Sequence, residues 1–494
     1  MNHPHQHCSG CLSRRRCLQL VGMAAAGLGF SGQLMPALAR QRRPAPDFVD
    51  PAALRPRPKV RIDAAFLEMP RPYWLGWPGT TYDLDRHQAE YRGRLRESCQ
   101  RLGIDLYEES APIQADAGVA SLIQGVHQRQ PDALLVILQH MGCWGWTERL
   151  ARDARCPLLI FAPIGTSFTG HVAGISRRPG VHLISSLDWS AVEDGLRMIR
   201  AKRMFEESRI LWIHGDKRNE TVLDRLGAKI RATPRDTFNQ LFDTMPVNEE
   251  VKDVASALRR RAKKVVEPNW QDCLNAARAY TTAKRLLADE QAHALSMDCL
   301  GMVGAKLVPT PPCAAWTLLQ DEGITAGCEA DLHGATSMML TSYLLDRPGY
   351  MNDPVAETAK NLLIAAHCTS GTRLNGFTKP QAPYILRDHS ESSLGVAVQV
   401  LWPVDTPISL IRFSNTNELI IDTGRVVSNV DTPPAGGCRT SIEIRMDRVE
   451  DARDVLGFHQ VVTLGDHRRV VEGFCQLMGI RVVHSPEHSA PATA

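Results

Sequence analysis

"ALLVIL", residues 133–138, is a run of six apolar residues. A continuous run of that length, set between helical patterns, predicts a strand buried on both faces. Such strands belong to parallel sheets covered by helices on either side, so this run points to an α/β fold. Working outward, Val60–Leu67 reads as a strand, residues 83–102 as a helix ended by Gly103, and "LLIF" at 158–161 as another buried strand. Residues 59–205 are therefore expected to form an N-terminal Rossmann-like domain.

The pattern then repeats. "RILWIHGD" from Arg209 is a strand ending in a Gly-Asp turn, Trp270 to Asp289 has helical spacing, and "HALSMDCLGMV" reads as a strand and loop. Residues 206–345 are expected to be a second Rossmann-like domain. Neither G-x-G-x-x-G nor G-x-x-x-x-G-K-[ST] occurs here, which leaves dinucleotide and P-loop readings without support. Beyond Asp346 the character changes. "SLGVAVQVLW", "PISLIRF", "ELIIDTGRVV" and "TSIEIRM" alternate over short strands separated by turns. Residues 346–486 thus read as a mainly antiparallel β domain, a sheet or barrel.

The chain has 494 residues, 44% hydrophobic and 22% charged, an ordinary globular balance with a net charge of +3. The three arginines of residues 1–39 account for that surplus, so no basic field for nucleic acid is implied. Residues 1–39 read as a twin-arginine signal peptide: Arg14-Arg15-Arg16, an apolar run from Leu20 to Phe30, and an A-x-A site at Ala37-Leu38-Ala39. The run is too short to span a bilayer. This places the mature protein in the periplasm or cell envelope, with no stable membrane span. Residues 40–58, rich in Pro and Arg, read as a linker, and 487–494 as a tail. Ten of the 13 cysteines lie beyond the signal, with no C-x-x-C among them. Twin-arginine export carries folded proteins, so buried free thiols are expected.

The chemistry centres on "TAGCEADLHGATSMML", residues 325–340. It could be a metal site, an acid/base pair or a capped helix. Read locally, Glu329 to Leu345 is a helix stopped by Asp346-Arg347-Pro348-Gly349. Glu329 would sit at its positive end. Glu329 and His333, at i and i+4, would share a face, with Asp331 pointing away to solvent. Asp353, held extended by Pro354, is a second carboxylate. His367, His389, His459 and His467 follow; taken singly, a histidine is more often structural than a ligand.

From Ser296 to Ile480 the chain resembles the L-fucose isomerase / L-arabinose isomerase superfamily. The resemblance rests on "MDCLG" (297–301), "CEADLHGATSMMLTSYLLDRPGYMND" (328–353), "AHCTS" (366–370), "DHSESSLGVAVQV" (388–400), "PPAGGCRTSIEI" (433–444) and "FHQVVTLGDHRRVVEGFCQLMGI" (458–480). It implies a divalent metal, usually Mn²⁺, held by Glu329, Asp353 and His459. It also implies a homo-oligomer acting on a small carbohydrate. The implied reaction is aldose–ketose isomerisation through an ene-diolate, with Glu329 and Asp353 jointly moving the proton between C1 and C2. His389 and His367 are candidates for binding substrate hydroxyls, and His333 has no implied role.

The assayed sugar isomerases of that superfamily work in the cytoplasm, where their products feed kinases. An export signal departs from this pattern and leaves the sugar and the reaction open. The alternatives are a periplasmic sugar-binding protein without turnover, and an epimerase or lyase using the same metal site.

Overall fold

The structure, a computed structural model, describes residues 48–71, 75–305, 307–308, 310–431 and 437–486. The twin-arginine segment, residues 40–47 of the expected linker and the 487–494 tail lie outside the described residues. From Val49 onward the chain forms one compact unit.

The first sheet is parallel and five-stranded: β1 (Val60–Leu67), β2 (Ile104–Glu108), β3 (Ala133–Leu138), β4 (Leu158–Ala162) and β5 (Val181–Ser185), in the order β2-β1-β3-β4-β5. All six residues of β3 are buried, as a central doubly covered strand requires. Helix Leu84–Leu102 starts one residue after the sequence reading, because Asp83 accepts a hydrogen bond from the Arg86 amide as its N-cap.

The second block holds β6 (Arg209–Ile213), β7 (Asn219–Val222), β8 (Lys229–Thr233), the two-residue β9 (Lys264–Val265), β10 (Ala294–Met297) and β11 (Thr325–Gly327). Its sheet runs β11-β10-β6-β8-β7, parallel except for the edge strand β7. After β10 the expected loop is instead a short helix, Cys299–Gly304, capped by Asp298 through the Gly301 amide.

The C-terminal block contains β12 (Tyr350–Glu357), β13 (Leu362–His367), β14 (Tyr384–Arg387), β15 (Ala397–Val400), β16 (Pro407–Asn415), β17 (Glu418–Asn429), β18 (Thr440–Met446), β19 (Gln460–Leu464) and β20 (Arg481–Val483). Six of these close on themselves. The order β16-β19-β12-β13-β18-β17 is antiparallel throughout, and β17 pairs back to β16. The result is a small antiparallel β-barrel, which removes open edges. Strands β14 and β15 form a separate small sheet with β9, so the C-terminal block reaches back into the second.

Helix Leu332–Leu345 joins these parts. Every residue from Gly334 to Leu344 is buried. A helix apolar all round is covered on every face. Met339, Leu340, Tyr343 and Leu344 share one core cluster with the first-sheet helix Ser190–Glu207 and barrel residues Ile411 and Phe413. Met338 sits in another, with Trp316, Met351 and Val461.

Residues 49–58 differ from the linker reading. Pro51–Leu54 is a 3₁₀ turn, Leu54 is buried in the cluster around Trp316, and Arg55 lies 3.9 Å from Asp346. A Pro- and Arg-rich composition signals low core-forming capacity, but one leucine and one arginine suffice to dock the segment.

Candidate metal centre

Two parts of the fold supply the site. The barrel brings three residues through strand register. Asn352 of β12 pairs with Gln460 of β19, and Asp353 pairs with Ala366 of β13. Asp353 on β12, His367 on β13 and His459 just before β19 are therefore neighbours, although far apart in sequence. The second sheet brings Glu329 on the loop that leaves β11.

That loop corrects the local reading of residues 329–333. The helix begins at Leu332, not at Glu329, and its N-cap is Asp331, whose Oδ1 accepts from the Gly334 amide at 3.0 Å. Glu329 and Ala330 are left-handed, with φ of 57° and 54°. The expected i, i+4 face shared by Glu329 and His333 does not exist, because Glu329 lies outside the helix. The turn is tied down by the Ala330 amide donating to Met297 O at 3.0 Å and by Trp212 Nε1 donating to Ala330 O at 2.6 Å. His459 is also left-handed, φ 53°. Non-glycine residues in this region cost on the order of 1 kcal/mol or more each, and such outliers concentrate at functional sites. Here they fall on two of the four converging side chains.

The side chains meet around His459. Its Nε2 lies 3.1 Å from Asp353 Oδ1 and 3.4 Å from Glu329 Oε2. His367 Nε2 lies 3.7 Å from the other oxygen of Glu329. Ligand atoms of Glu329, His367 and His459 all fall within 4.8 Å of one another. Both imidazoles are buried, whereas the Glu329 and Asp353 side chains are each 32% exposed. The carboxylates thus form the accessible rim and the imidazoles the floor.

Asp331, expected on the surface, is the largely covered partner of this floor. It accepts from His459 Nδ1 at 2.9 Å and from Arg412 Nη1 at 2.6 Å. Its position is set by the cap: Oδ1 caps the helix start, which leaves Oδ2 turned to the barrel, where β16 presents Arg412. In the neutral ring, an Nδ1 proton donated to Asp331 leaves the Nε2 lone pair free for an ion beside the two rim carboxylates. This is the carboxylate–histidine arrangement that orients metal-bound imidazoles.

The charges follow from the contacts. Contact with His367 and then His459 holds the Glu329 carboxyl far below the usual carboxylate range, despite partial burial. Burial would raise Asp331, but His459, Arg412 and the Gly334 amide reverse that and hold it well below the ordinary value. Burial likewise disfavours the His459 cation, yet Asp331, Asp353 and Glu329 outweigh it and push the imidazole up to about 11. His367 moves up too, its burial overcome by Glu329 and Asp353. Without a metal, protons on the imidazoles balance the carboxylates.

A divalent ion fits the same residues. His459 Nε2 is buried and makes no hydrogen bond, despite two carboxylate oxygens beside it. Donor atoms around an ion at about 2.1 Å sit about 3 Å apart, close to the spacings here. Two oxygens and two imidazole nitrogens suit Mn²⁺ and its neighbours.

His389 lines the same small cavity, of ≈ 40 Å³, with its Nδ1 bonded to Ser392 Oγ at 2.9 Å. That volume holds an ion or a few waters, not a sugar, which needs several hundred Å³. A molecule the size of a sugar would have to lie over the exposed carboxylate rim. A larger cavity, ≈ 730 Å³, is lined by Arg55, Arg200, Asp346 and Arg373 and includes none of these residues. His333 is half-buried, its imidazole held low by burial and then by Arg412, outside the cluster. His467 caps helix Arg468–Met478 and hydrogen-bonds Leu464 O rather than being solvated. An Asp three residues before a helical glycine is a cap signal that could have marked Asp331; nothing in the sequence marks Arg412.

No protein-family model matches the chain. A sulfoquinovose isomerase from Clostridium sp. (strain MSTE9) is 37% identical over 60 residues, 12% of this chain and 13% of that protein. Sulfoquinovose isomerases from Priestia aryabhattai and Priestia megaterium are each 24% identical over 213 residues, 41% of this chain and 44% of theirs. The matches thus span less than half the length of these curated relatives. Among solved structures, an ABC-transporter solute-binding protein from Burkholderia multivorans aligns at 9% identity over 55% of this chain and 98% of that one. Its TM-score of 0.17 carries no inference. Among the described residues, no helix is long and apolar enough to cross a membrane.

Proposed function

We propose that this protein is a metal-dependent, aldose–ketose isomerase-like enzyme of the L-fucose isomerase / L-arabinose isomerase type. The observation that carries the reading is the convergence of Glu329, His367 and His459, with Asp353 at 3.1 Å from His459. Glu329, Asp353 and His459 would hold the ion, as the resemblance implies, and His367 would join them. The names of the relatives support a sugar isomerase and make sulfoquinovose the first substrate to try. Manganese as the ion, a homo-oligomer and twin-arginine export remain parts of the proposal, resting on the sequence resemblance and on the Arg14–Arg16 signal pattern.

When bound, the ion would supply a Lewis acid opposite the two oxygens of an ene-diolate. The residues do the rest. Asp331 holds the His459 tautomer, and Arg412 holds Asp331. Glu329 and Asp353, exposed on the rim, are placed to take the proton from one carbon of an open-chain sugar and return it to the next. His389, at the cavity wall, is placed for a substrate hydroxyl.

The test is Mn²⁺ titration of chelator-treated protein beside Glu329→Gln, then an aldose panel followed by NMR in D₂O. Wild type should bind the ion, the variant much less. Deuterium at the carbon next to a new carbonyl would identify isomerisation. A wild-type protein that binds no divalent ion would overturn the reading.

A further inference from the structure

Ten cysteines are described, none of them in a disulfide. Five of them, Cys299, Cys313, Cys328, Cys368 and Cys438, line the one small cavity that also holds Glu329, Asp353, His367 and His389. Cys299 and Cys328 share one buried cluster, and Cys313 and Cys368 share another with Cys438 packed against it. Two of the five are joined directly to site residues, since Cys328 precedes Glu329 and Cys368 follows His367.

The pair Cys368 and Cys438 stands out by topology. His367, the last residue of β13, pairs with Thr440, the first of β18. Cys368 and Cys438 continue those strands one and two residues further, on neighbouring backbone. Cys438 is half-buried while Cys368 is buried, so a small oxidant reaches Cys438 first and finds a second thiol behind it. An accessible thiol beside a resolving thiol is the arrangement of oxidation-sensitive sites. Thiol capture of a soft metal is less well supported, because among the described residues the metal-capable group contains no sulfur.

We propose that Cys368 and Cys438 are an oxidation site that disarms the adjoining metal centre. The consequence for the metal rests on the proposed function; the disulfide does not. The oxidant is a peroxide. One of the two sulfurs attacks one oxygen of hydrogen peroxide, the O–O bond breaks and water leaves, giving a sulfenic acid. The other sulfur then attacks that sulfur, the S–S bond forms, the S–O bond breaks and a second water leaves. Two thiols lose two electrons and their protons, and one peroxide becomes two waters. A disulfide requires the sulfurs at about 2.0 Å, well inside a thiol contact. Closing that gap moves the Cys368 backbone, and with it His367, whose Nε2 is 3.7 Å from Glu329.

The full chain, with Mn²⁺ removed and re-added, is treated with increasing hydrogen peroxide. Peptides are then mapped by mass spectrometry without reduction, and Mn²⁺ affinity is measured on the same samples. A 368–438 linked peptide, Mn²⁺ affinity weaker by about tenfold or more, and recovery of both with dithiothreitol are expected. Cys438→Ser, compared with its own untreated sample, should keep its Mn²⁺ affinity through the treatment. The proposal is overturned if the protein stays folded by circular dichroism and no 368–438 link forms, or if the link forms with Mn²⁺ affinity unchanged. If untreated protein binds no Mn²⁺, the functional reading falls, and the peptide map alone still decides the disulfide.

Discussion

Replacing Asp331 separates its two jobs. Its carboxylate caps helix Leu332–Leu345 and is the buried anion between Arg412 and His459. The three side chains are only 14%, 12% and 5% exposed, so solvent screens them little. Asp331→Ala loses the cap, about 1 kcal/mol. It also removes the carboxylate that pairs the largely buried Arg412 and the Nδ1 side of His459, about 3–5 kcal/mol. The sum, about 4–6 kcal/mol, approaches the whole stability of many proteins. Asp331→Asn keeps the cap, because Asn caps as well as Asp. It loses only the charge in a charged hydrogen bond, about 2 kcal/mol. Metal affinity should fall about 10–100-fold in the Asn variant, since the His459 tautomer is no longer set by an anion. Urea unfolding in chelator reads the first effect, and Mn²⁺ calorimetry the second. If Asp331→Asn changes stability by less than about 0.5 kcal/mol and leaves Mn²⁺ affinity alone, then Asp331 is only a cap and the reasoning is refuted.

Three further outcomes follow from the same geometry. In metal-free protein His459 keeps its proton to about pH 11, whereas an unfolded chain releases it near 6.5. Its contribution to stability is therefore complete below pH 6.5 and lost as pH rises towards 11; chelated wild type should lose stability over that window in urea melts, and His459→Gln should flatten the slope. Because the ion needs neutral imidazoles, binding at pH 7 should release at least about one proton per ion, measured by calorimetry in buffers of different ionisation enthalpy. Gly349 lies where helix Leu332–Leu345 turns into β12, and a Cβ there would meet Thr341 Oγ1 and Val461 Cγ1 at 2.5 Å each. Gly349→Ala should lower stability by about 1–3 kcal/mol in urea unfolding and weaken metal binding by shifting Asp353.

Much of the architecture was legible in the chain. Continuous apolar runs such as Ala133–Leu138 bury themselves between helix layers, and alternating runs such as Thr440–Met446 read as strands of an antiparallel block, so both kinds of sheet were readable. Glu329, Asp353 and His459 were reached by resemblance, since no spacing joins residues so far apart. What the sequence could not contain was the register. Asp353, His367 and His459 meet because β12 pairs with β13 and β19 at Asp353↔Ala366 and Asn352↔Gln460, and a slip of one residue would turn each side chain to the other face. Local reading also put Glu329 inside the helix and Asp331 in water. The fold reversed both, because the barrel's Arg412 and His459 supply a buried positive partner for Asp331, and Glu329 and Ala330 adopt a left-handed turn that residue preferences disfavour. Residue type and periodicity determined which segments become strands and helices; long-range pairing of charges and strands decided which of their side chains share a site.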